Sequence, residues 1–424
     1  MATHAAKYLL RQSAEDDGLV KAGEHPSLGT DGKHADVRPR VAFLFIGQAH
    51  QLLHGITIAE QLALSGQVDV DILSTTAINL ELACNLVLPE NRHLLGFGWI
   101  GAKILTTIAV RLGRLLPPKL PSLFAARRML NGYDAIVLPE RTSTILRKLG
   151  VRRPKLIHID HGAGDRAVGY DKRIARFDFA LVAGRKQERR MLADGLIRPG
   201  AYAMVGYPKF DAADRIRDRS WSPFSDTRPV ILYNPHFSAE LGSWARDGHE
   251  IVRHIVESGR FNLIIAPHIR LCDSRKGRAA AEAIFGTFRP FPQVYLDLGS
   301  ERSIDMTYTS LADIYVGDVS SQIYEFIRTP RPCLFVNSHG KDWRGDPSYA
   351  HWNFGPVIDQ AKMTVAAIDA SIHTHDDYRD RQREAFVETI DEHADCRSSV
   401  RAADAIAGFL RDAATRCISE ENQA

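Results

Sequence analysis

The stretch Val41-Ala-Phe-Leu-Phe-Ile-Gly-Gln-Ala-His50 joins a continuous apolar run to a short polar turn. An apolar run of this length that ends in turn residues is typical of a strand buried on both faces of a parallel sheet. A helical stretch over 52–65, a break at Gly66 and a second apolar run over 68–73 follow it. This strand–helix–strand order predicts an α/β fold whose order begins at residue 41.

The same alternation fills two successive halves of the chain. Further apolar runs lie at 135–138, 155–159, 179–182 and 202–205, and then at 230–233, 261–266, 294–296, 314–316 and 333–336. Between the halves, the charged run 211–219 and the prolines at 208, 223 and 229 indicate a domain connection. We therefore predict an α/β protein with two Rossmann-like parallel-sheet domains that face a cleft, over 41–215 and 216–365.

The two ends of the chain have a different character from these halves. Residues 1–40 are polar and lack hydrophobic periodicity, which predicts a flexible leader. They show no basic start followed by an apolar core, as a secretory signal would. Residues 366–424 are helix-rich, and we expect them to close the structure.

Composition excludes several classes of protein. The 424 residues include 54 Lys and Arg against 51 Asp and Glu, with 45% hydrophobic and 25% charged residues. This balance is that of an ordinary globular protein, and it excludes a wholly disordered chain or one whose whole surface binds nucleic acid. The five cysteines have no zinc or redox spacing, so we expect reduced thiols in a cytoplasmic protein.

One tract departs from this even charge balance. Residues 91–133 contain no Asp or Glu, and they carry seven basic residues interleaved with apolar ones: Arg92, Lys103, Arg111, Arg114, Lys119, Arg127 and Arg128. Lys103, Arg111 and several glycines interrupt the tract too often for a transmembrane helix. Two interpretations stay open: an interfacial helix on an anionic membrane surface, or a core helix with a solvated basic face.

Polar residues follow the apolar runs at regular places. His50, His161, His236 and His268 each come after a run, as does the turn Gly317-Asp-Val-Ser-Ser321. Because ligands of open parallel sheets bind beyond the carboxyl ends of the strands, two facing sheets would direct these residues into one cleft. This arrangement is typical of two-domain transferases that use nucleotide-linked substrates.

The serine turn and two histidines are the strongest candidates for chemistry. Ser320 or Ser321 stands where the next helix should have its N-cap, which suits either simple capping or an anion site, while Asp318 suits holding the turn or receiving a sugar hydroxyl. His161 could accept a proton from a hydroxyl, with Gly162 leaving room for substrate and Arg166 facing a phosphate. His268 and Arg270 could act similarly or be structural, and for His50 and His236 we expect structural or peripheral roles.

Several of these stretches together resemble the CDP-glycerol glycerophosphotransferases, the polymerases and primases of teichoic-acid-type polymers. The family's His-Gly-Thr-Pro-x-Lys-x-x-Gly-x-Asp pattern is similar to His161-Gly-Ala-Gly-Asp-Arg-Ala-Val-Gly-Tyr-Asp171, and its Gly-x-Pro-x-x-Asp pattern to Gly206-Tyr-Pro-Lys-Phe-Asp211. Its Tyr-Ala-Pro-Thr and Pro-His-Pro segments resemble Tyr233-Asn-Pro-His236 and Pro267-His-Ile269, and its Asp-x-Ser-Ser signature matches Asp318-Val-Ser-Ser321. The resemblance spans about 136–359.

The resemblance implies a GT-B fold, with an acceptor-side N-terminal domain and a nucleotide-donor C-terminal domain. It implies transfer of glycerol phosphate from CDP-glycerol to a glycan or lipid-linked acceptor, with release of CMP. His161 would then be the base, His268 would assist at the phosphates, and Ser320 and Ser321 would hold the pyrophosphate. The donor would be a substrate, with no further cofactor or metal and no nucleic-acid partner. A cytoplasmic location, with peripheral membrane attachment through 91–133, is also implied.

The chain departs from the family pattern at Ala163, Gly164 and Ile269, which replace Thr, Pro and Pro. These positions belong to the predicted donor or acceptor pocket. The donor could therefore be another CDP-alditol or a sugar nucleotide, as in a GT-B glycosyltransferase or epimerase-like enzyme. A non-catalytic descendant that binds nucleotide or polymer is a third alternative.

Overall fold

The computed structural model describes residues 38–100, 119–160, 162, 164–165, 169–272 and 274–421. The predicted leader therefore lies almost wholly outside the described residues. Within them, two parallel sheets with flanking helices confirm the predicted α/β class and its two Rossmann-like halves.

The N-terminal sheet has seven strands in the order β3-β2-β1-β4-β5-β6-β7. They are β1 Arg40–Phe45, β2 Asp69–Ser74, β3 Leu95–Trp99, β4 Ala135–Leu138, β5 Lys155–Ile159, β6 Phe179–Val182 and β7 Tyr202–Met204. The helices are α1 Ile56–Leu64, α2 Ala77–Leu86, α3 Lys119–Leu130, α4 Arg185–Ala193 and α5 Pro208–Ile216. The strand order reverses between β1 and β4, which makes the ends of these two strands the topological switch point.

The apolar run that begins the fold supplies side chains to two cores. Val41, Phe43 and Phe45 pack on one face of the sheet with α1, whereas Ala42 and Leu44 pack on the other face with α3. Because successive residues of a strand point to opposite faces, a sheet covered on both sides needs apolar residues at every position. The continuous run is thus explained by burial on both faces.

The C-terminal sheet has six strands in the order β10-β9-β8-β11-β12-β13. They are β8 Val230–Asn234, β9 Asn262–Ile265, β10 Val294–Leu296, β11 Ile314–Gly317, β12 Cys333–Val336 and β13 Val357–Ile358. The helices are α6 Gly248–Ser258, α7 Arg275–Phe285, α8 Thr307–Leu311, α9 Ile323–Phe326, α10 Thr364–His373 and α11 His375–Thr389. The switch point of this sheet lies between β8 and β11.

The last helix, α12 Ser398–Glu421, returns to the N-terminal domain. Its Ala402 and Ile406 are buried in the same core cluster as Val41. At its start, the backbone N–H of Tyr207 donates to Ser398 Oγ at 3.0 Å. Gly206 has φ of +81°, and a Cβ there would lie 2.4 Å from Ser398 Oγ. The glycine therefore permits both the left-handed backbone and the close approach of α12.

The first part of the acid-free tract differs from the helix that both interpretations assumed. Its residues Leu95–Trp99 form the edge strand β3, paired in parallel with β2, and Trp99 Nε1 donates to the carbonyl of Thr75 at 3.0 Å. The expectation of a helix over this part of the tract is therefore wrong. Residues 101–118 lie outside the described part of the chain, and α3 follows them. No helix within the described residues is long and apolar enough to cross a membrane.

Candidate active site

The two switch points line opposite walls of one cleft of about 610 Å³. Gly47 and Glu140, which follow β1 and β4, lie on the N-terminal wall, while His236 and Val319, which follow β8 and β11, lie on the C-terminal wall. Parallel sheets bind ligands at such switch points. The cleft is therefore the candidate active site.

The glycine-rich loop after β5 reaches across the cleft to the serine turn after β11. A Cβ built on Gly164 would lie 2.8 Å from the Cβ of Ser321, and one on Gly162 would lie 3.8 Å from Ser321 Oγ. Only a residue without a side chain allows the approach at position 164, because carbon atoms in contact are normally about 3.5–4.0 Å apart. Residues from both predicted motifs thus meet across the interdomain boundary.

The serine turn differs in detail from the prediction of a capping serine. The short helix α9 has Gln322 as its N-cap, without a side-chain cap. Ser320 Oγ instead accepts the backbone N–H of Gln322 at 3.3 Å, and both Ser320 and Ser321 line the cleft. The N-cap prediction is therefore wrong, because the chain makes a further turn after the serines before the helix begins.

Asp318 holds this turn from inside the protein. Its carboxylate is fully buried and accepts the backbone N–H groups of His236, Val319 and Ser243 at 2.7–2.8 Å, and the hydroxyl of Ser243 at 3.0 Å. Burial raises the pKa of Asp318, and these donors oppose that shift. The structure supports the turn-holding role considered for Asp318 and corrects its placement as a ligand-contacting residue.

His268 and Arg270 follow β9 and line the same cleft. The Nδ1 atom of His268 accepts the backbone N–H of Arg270 at 3.2 Å, so in this arrangement the ring proton is on Nε2. The guanidinium of Arg270 lies 4.1 Å from the ring centroid of Phe237. His236, on the neighbouring strand, accepts the backbone N–H of Ser238 through Nδ1 at 3.2 Å in the same manner.

A buried polar cluster joins the two domains, and three of its four residues line the cleft. Asp165, in the glycine-rich loop, accepts hydrogen bonds from Lys186 Nζ at 2.7 Å and from the hydroxyl of Tyr324 at 2.7 and 2.8 Å. His351 contributes Nδ1 at 2.9 Å from the same carboxylate, and its Nε2 lies 2.9 Å from the carbonyl oxygen of Asp318. We call these four residues, Asp165, Lys186, Tyr324 and His351, the interdomain hub.

The chemistry of the partners defines the charges in the hub. Both ring nitrogens of His351 lie 2.9 Å from an oxygen, Nδ1 from the Asp165 carboxylate and Nε2 from the Asp318 carbonyl. Burial by itself would raise the pKa of Asp165, but His351 and Lys186 hold it well below its ordinary range. Burial also lowers the pKa of Lys186, and Asp165 partly opposes that shift. The hub is thus a buried carboxylate paired with Lys186 and hydrogen-bonded by His351 and Tyr324.

A second buried ion pair crosses the domain boundary nearby. Lys209 Nζ of α5 lies 2.5 Å from Glu325 Oε1 of α9, and both side chains are at most 6% exposed. Lys209 belongs to the Gly206–Asp211 motif stretch, whereas Glu325 directly follows Tyr324 of the hub. The Lys209–Glu325 ion pair connects α5 to α9, and the hydrogen bond from Tyr324 to Asp165 connects the glycine-rich loop to the same helix.

The structure brings most of the predicted site residues together. Gly162, His268, Arg270, Ser320 and Ser321 all line the cleft. His161 and Arg166 lie outside the described residues, although their neighbours belong to the cleft wall. His50 and His236, expected to be structural or peripheral, also line it.

Three hub residues and a carboxylate were missed from the sequence. Glu140 follows β4 directly, so the rule that selected the other strand ends would have found it. Lys186, Tyr324 and His351 carry no comparable signal, because their partner is distant in sequence. Among the described residues, no group of three or more His, Cys, Asp or Glu side chains is arranged to hold a metal ion.

Comparison with sequence families supports the resemblance. Residues 287–408 match the family model described as CDP-glycerol:poly(glycerophosphate) glycerophosphotransferase. This region contains the serine turn, Tyr324 and His351. No curated protein gives a significant match to the chain.

Solved structures with the same fold include the wall teichoic acid polymerase TagF. TagF has a TM-score of 0.58 at 13% identity, over 90% of this chain and 91% of the TagF chain. A TagF structure with CDPG gives 0.57 at 13% identity, over 90% of each chain. The UDP-GlcNAc 2-epimerase from Neisseria meningitidis, bound to UDP-GlcNAc, gives 0.51 at 12% identity, over 88% of this chain and all of the epimerase. These matches confirm the predicted GT-B fold.

Proposed function

We propose, from the match of residues 287–408 to the CDP-glycerol:poly(glycerophosphate) glycerophosphotransferase model, that the chain transfers glycerol phosphate, or a related alditol phosphate, from a CDP-linked donor to a hydroxyl. The acceptor is a cell-surface glycan or its lipid-linked precursor, and CMP is released. The observation that carries the proposal is the contact of Gly164 with Ser321. This contact brings the loop that contains His161, the proposed base, next to the turn that contains Ser320 and Ser321, the proposed phosphate ligands.

The reaction is a displacement at the phosphorus that carries the glycerol. The acceptor oxygen forms a new bond to this phosphorus, the bond from phosphorus to the CMP oxygen breaks, and the hydroxyl proton passes to His161. Ser320, Ser321 and Arg270 bind the two phosphates and offset their charge. His268 donates through Nε2–H to a phosphate oxygen, since its Nδ1 already accepts the backbone N–H of Arg270. Positioning and charge stabilisation supply most of the rate in such transfers.

Transfer of radiolabel from CDP-[¹⁴C]glycerol tests this proposal. We expect His161→Ala and His268→Ala to lower transfer by ~100-fold or more, in line with the usual contribution of a positioned acid or base. His249→Ala is the matched control. The side chain of His249 is half exposed on α6, and its ion-pair partner is Glu250. Full activity of His161→Ala would remove the proposed base. Transfer from a UDP-linked sugar alone would favour the alternative of a nucleotide-sugar enzyme.

We further propose that α3 and the acid-free tract attach the enzyme to the inner face of the cytoplasmic membrane. Leu120 and Phe124 are 55% and 50% exposed on α3, and the guanidinium of Arg127 lies 3.9 Å from the centroid of the Phe124 ring. With Arg128, these residues form what we call the α3 surface. Exposed apolar side chains beside basic ones suit an interface with anionic lipid.

Co-sedimentation with vesicles tests the attachment. We expect binding to phosphatidylglycerol-containing vesicles that weakens with salt, because exposed charges are screened. Arg127→Glu with Arg128→Glu should release the protein. Arg379→Glu with Arg383→Glu, on α11, changes the net charge equally and should not. Equal binding of both double variants would contradict the role of the α3 surface.

A further inference from the structure

A carboxylate at the N-terminal switch point is held in place from several sides. Glu140 forms an ion pair with Lys119, and its Oε2 accepts the hydroxyl of Thr142 at 3.0 Å. Its Oε1 accepts Gln51 Nε2 at 3.2 Å. Glu140 and Gln51 both line the cleft. A carboxylate fixed in this way on a cleft wall is available to a ligand without reorganising.

Two acceptor oxygens converge above Gly47, the residue that ends the first apolar run. A Cβ added to Gly47 would lie 1.9 Å from Glu140 Oε1 and 2.4 Å from Gln51 Oε1. Gln51 is only 5% exposed, and its Oε1 has no donor among the described residues. A buried acceptor without a donor costs stability. Its position on the cleft wall points to a donor that arrives with the ligand.

We propose that Glu140 and Gln51 form a subsite that binds polyol hydroxyl groups. Hydroxyls supply the O–H donors that both oxygens need, whereas an ionised phosphate can only accept. His268 and Arg270, proposed above as phosphate ligands, lie on the C-terminal wall.

This inference rests on the proposed function, which it deepens by naming what the N-terminal wall binds. Two ligands carry the required chemistry: the glycerol end of the donor and the polyol end of the acceptor. In both cases the hydroxyls donate to Glu140 Oε1 and Gln51 Oε1.

Calorimetric titration with CDP-glycerol and with CDP tests the subsite. Gly47→Ala displaces the two oxygens and Glu140→Gln removes the charge. Gly408→Ala, on α12 and outside the cleft lining, places its Cβ at an ordinary 3.8 Å from Arg411 and serves as control. If the donor's glycerol occupies the subsite, the first two variants weaken CDP-glycerol ~10-fold or more, as loss of a hydrogen bond to a charged group does, and leave CDP unchanged. The control variant keeps the wild-type ratio.

Saturation-transfer NMR with free glycerol separates the two sources. A glycerol signal that CDP-glycerol abolishes and CDP does not identifies the donor. A signal that persists with CDP-glycerol bound, and is lost in Gly47→Ala but kept in Gly408→Ala, identifies the acceptor. If every variant binds glycerol as the wild type does, and also binds CDP-glycerol as the wild type does, the proposed subsite is wrong. If the wild type binds neither nucleotide, the proposed donor is wrong, and the glycerol signal alone then decides the subsite by the same comparison of variants.

Discussion

Replacement of Tyr324 by Phe removes one donor from the interdomain hub and leaves its shape intact. The lost hydroxyl donates to both oxygens of Asp165, at 2.7 and 2.8 Å. The ring itself remains, with the ammonium of Lys186 4.0 Å from its centroid. The substitution therefore isolates the contribution of one hydrogen-bonding group to the contact between the domains.

The expected magnitude follows from what remains around Asp165. The carboxylate keeps Lys186 and His351, so it is not left uncompensated. Loss of a hydrogen bond to a charged group then lowers the free energy of unfolding by about 1.5–3 kcal/mol. Asp165→Asn is more severe, because it leaves the ammonium of Lys186 without its carboxylate, and we expect a loss of about 3–5 kcal/mol.

The effect of Asp165→Asn should depend on pH. The pKa of Asp165 is lowered in the folded protein, so its stabilisation is fully present above the unfolded-state pKa of about 4 and is lost progressively as the pH falls from there towards the lower folded-state pKa. The difference in unfolding free energy between wild type and Asp165→Asn should therefore be largest near neutral pH and shrink in acid.

Urea unfolding followed by tryptophan fluorescence measures these differences. Tyr202→Phe is the matched control, because its hydroxyl donates at 2.6 Å to the partly exposed Glu188, and such a bond contributes about 1 kcal/mol or less. Equal midpoints for Tyr324→Phe and Tyr202→Phe, or an Asp165→Asn protein as stable as wild type at neutral pH, would refute the reasoning.

Two further substitutions test contacts at the domain boundary. Gly164→Ala should lower the free energy of unfolding by about 1–3 kcal/mol through overpacking against Ser321, and Ser321→Gly should restore it in denaturant titrations, while Gly169→Ala alone has no effect. Lys209→Met should cost about 3–5 kcal/mol by leaving Glu325 buried without its cation. Addition of Glu325→Leu should recover most of that loss, and failure to recover it in the same titrations would contradict the pairing.

The strands that carry the site were predictable from local sequence. The runs at 135–138, 155–159 and 333–336 coincide with β4, β5 and β12, because strands buried on both faces leave uninterrupted apolar stretches. The polar residues after these strands then followed from the geometry of parallel sheets. Gly162 was predicted to leave room for a substrate, and the close approach of Ser321 to this loop is an additional feature that the sequence did not indicate.

The edge strand β3 was missed because its glycines suggest a break. In the structure they are required by the neighbouring strand. A Cβ on Gly96 would lie 1.8 Å from Asp71 Oδ1, and one on Gly98 would lie 2.7 Å from Leu73 Cδ2. The need for glycine thus comes from side chains of β2, which no local pattern reveals.

The hub could not be predicted for a related reason. Asp165 and His351 are separated by 186 residues and meet only when both sheets have formed and docked. Neither residue lies in a pattern that indicates a buried charge. A single Asp in a loop and a single His before Trp352 are residue types that usually lie on the surface. Only the fold shows that they form a buried hydrogen bond with each other.

The proposed use of a CDP-linked donor is tested most directly by the identity of the nucleotide that binds in the cleft. Thermal unfolding is measured with CDP-glycerol, UDP-GlcNAc and GDP-mannose at matched concentrations, since a ligand at 100 times its Kd stabilises the folded state by about 2.7 kcal/mol. We expect CDP-glycerol to raise the unfolding midpoint and Arg270→Ala to reduce this rise. Stabilisation by UDP-GlcNAc alone would contradict this expectation.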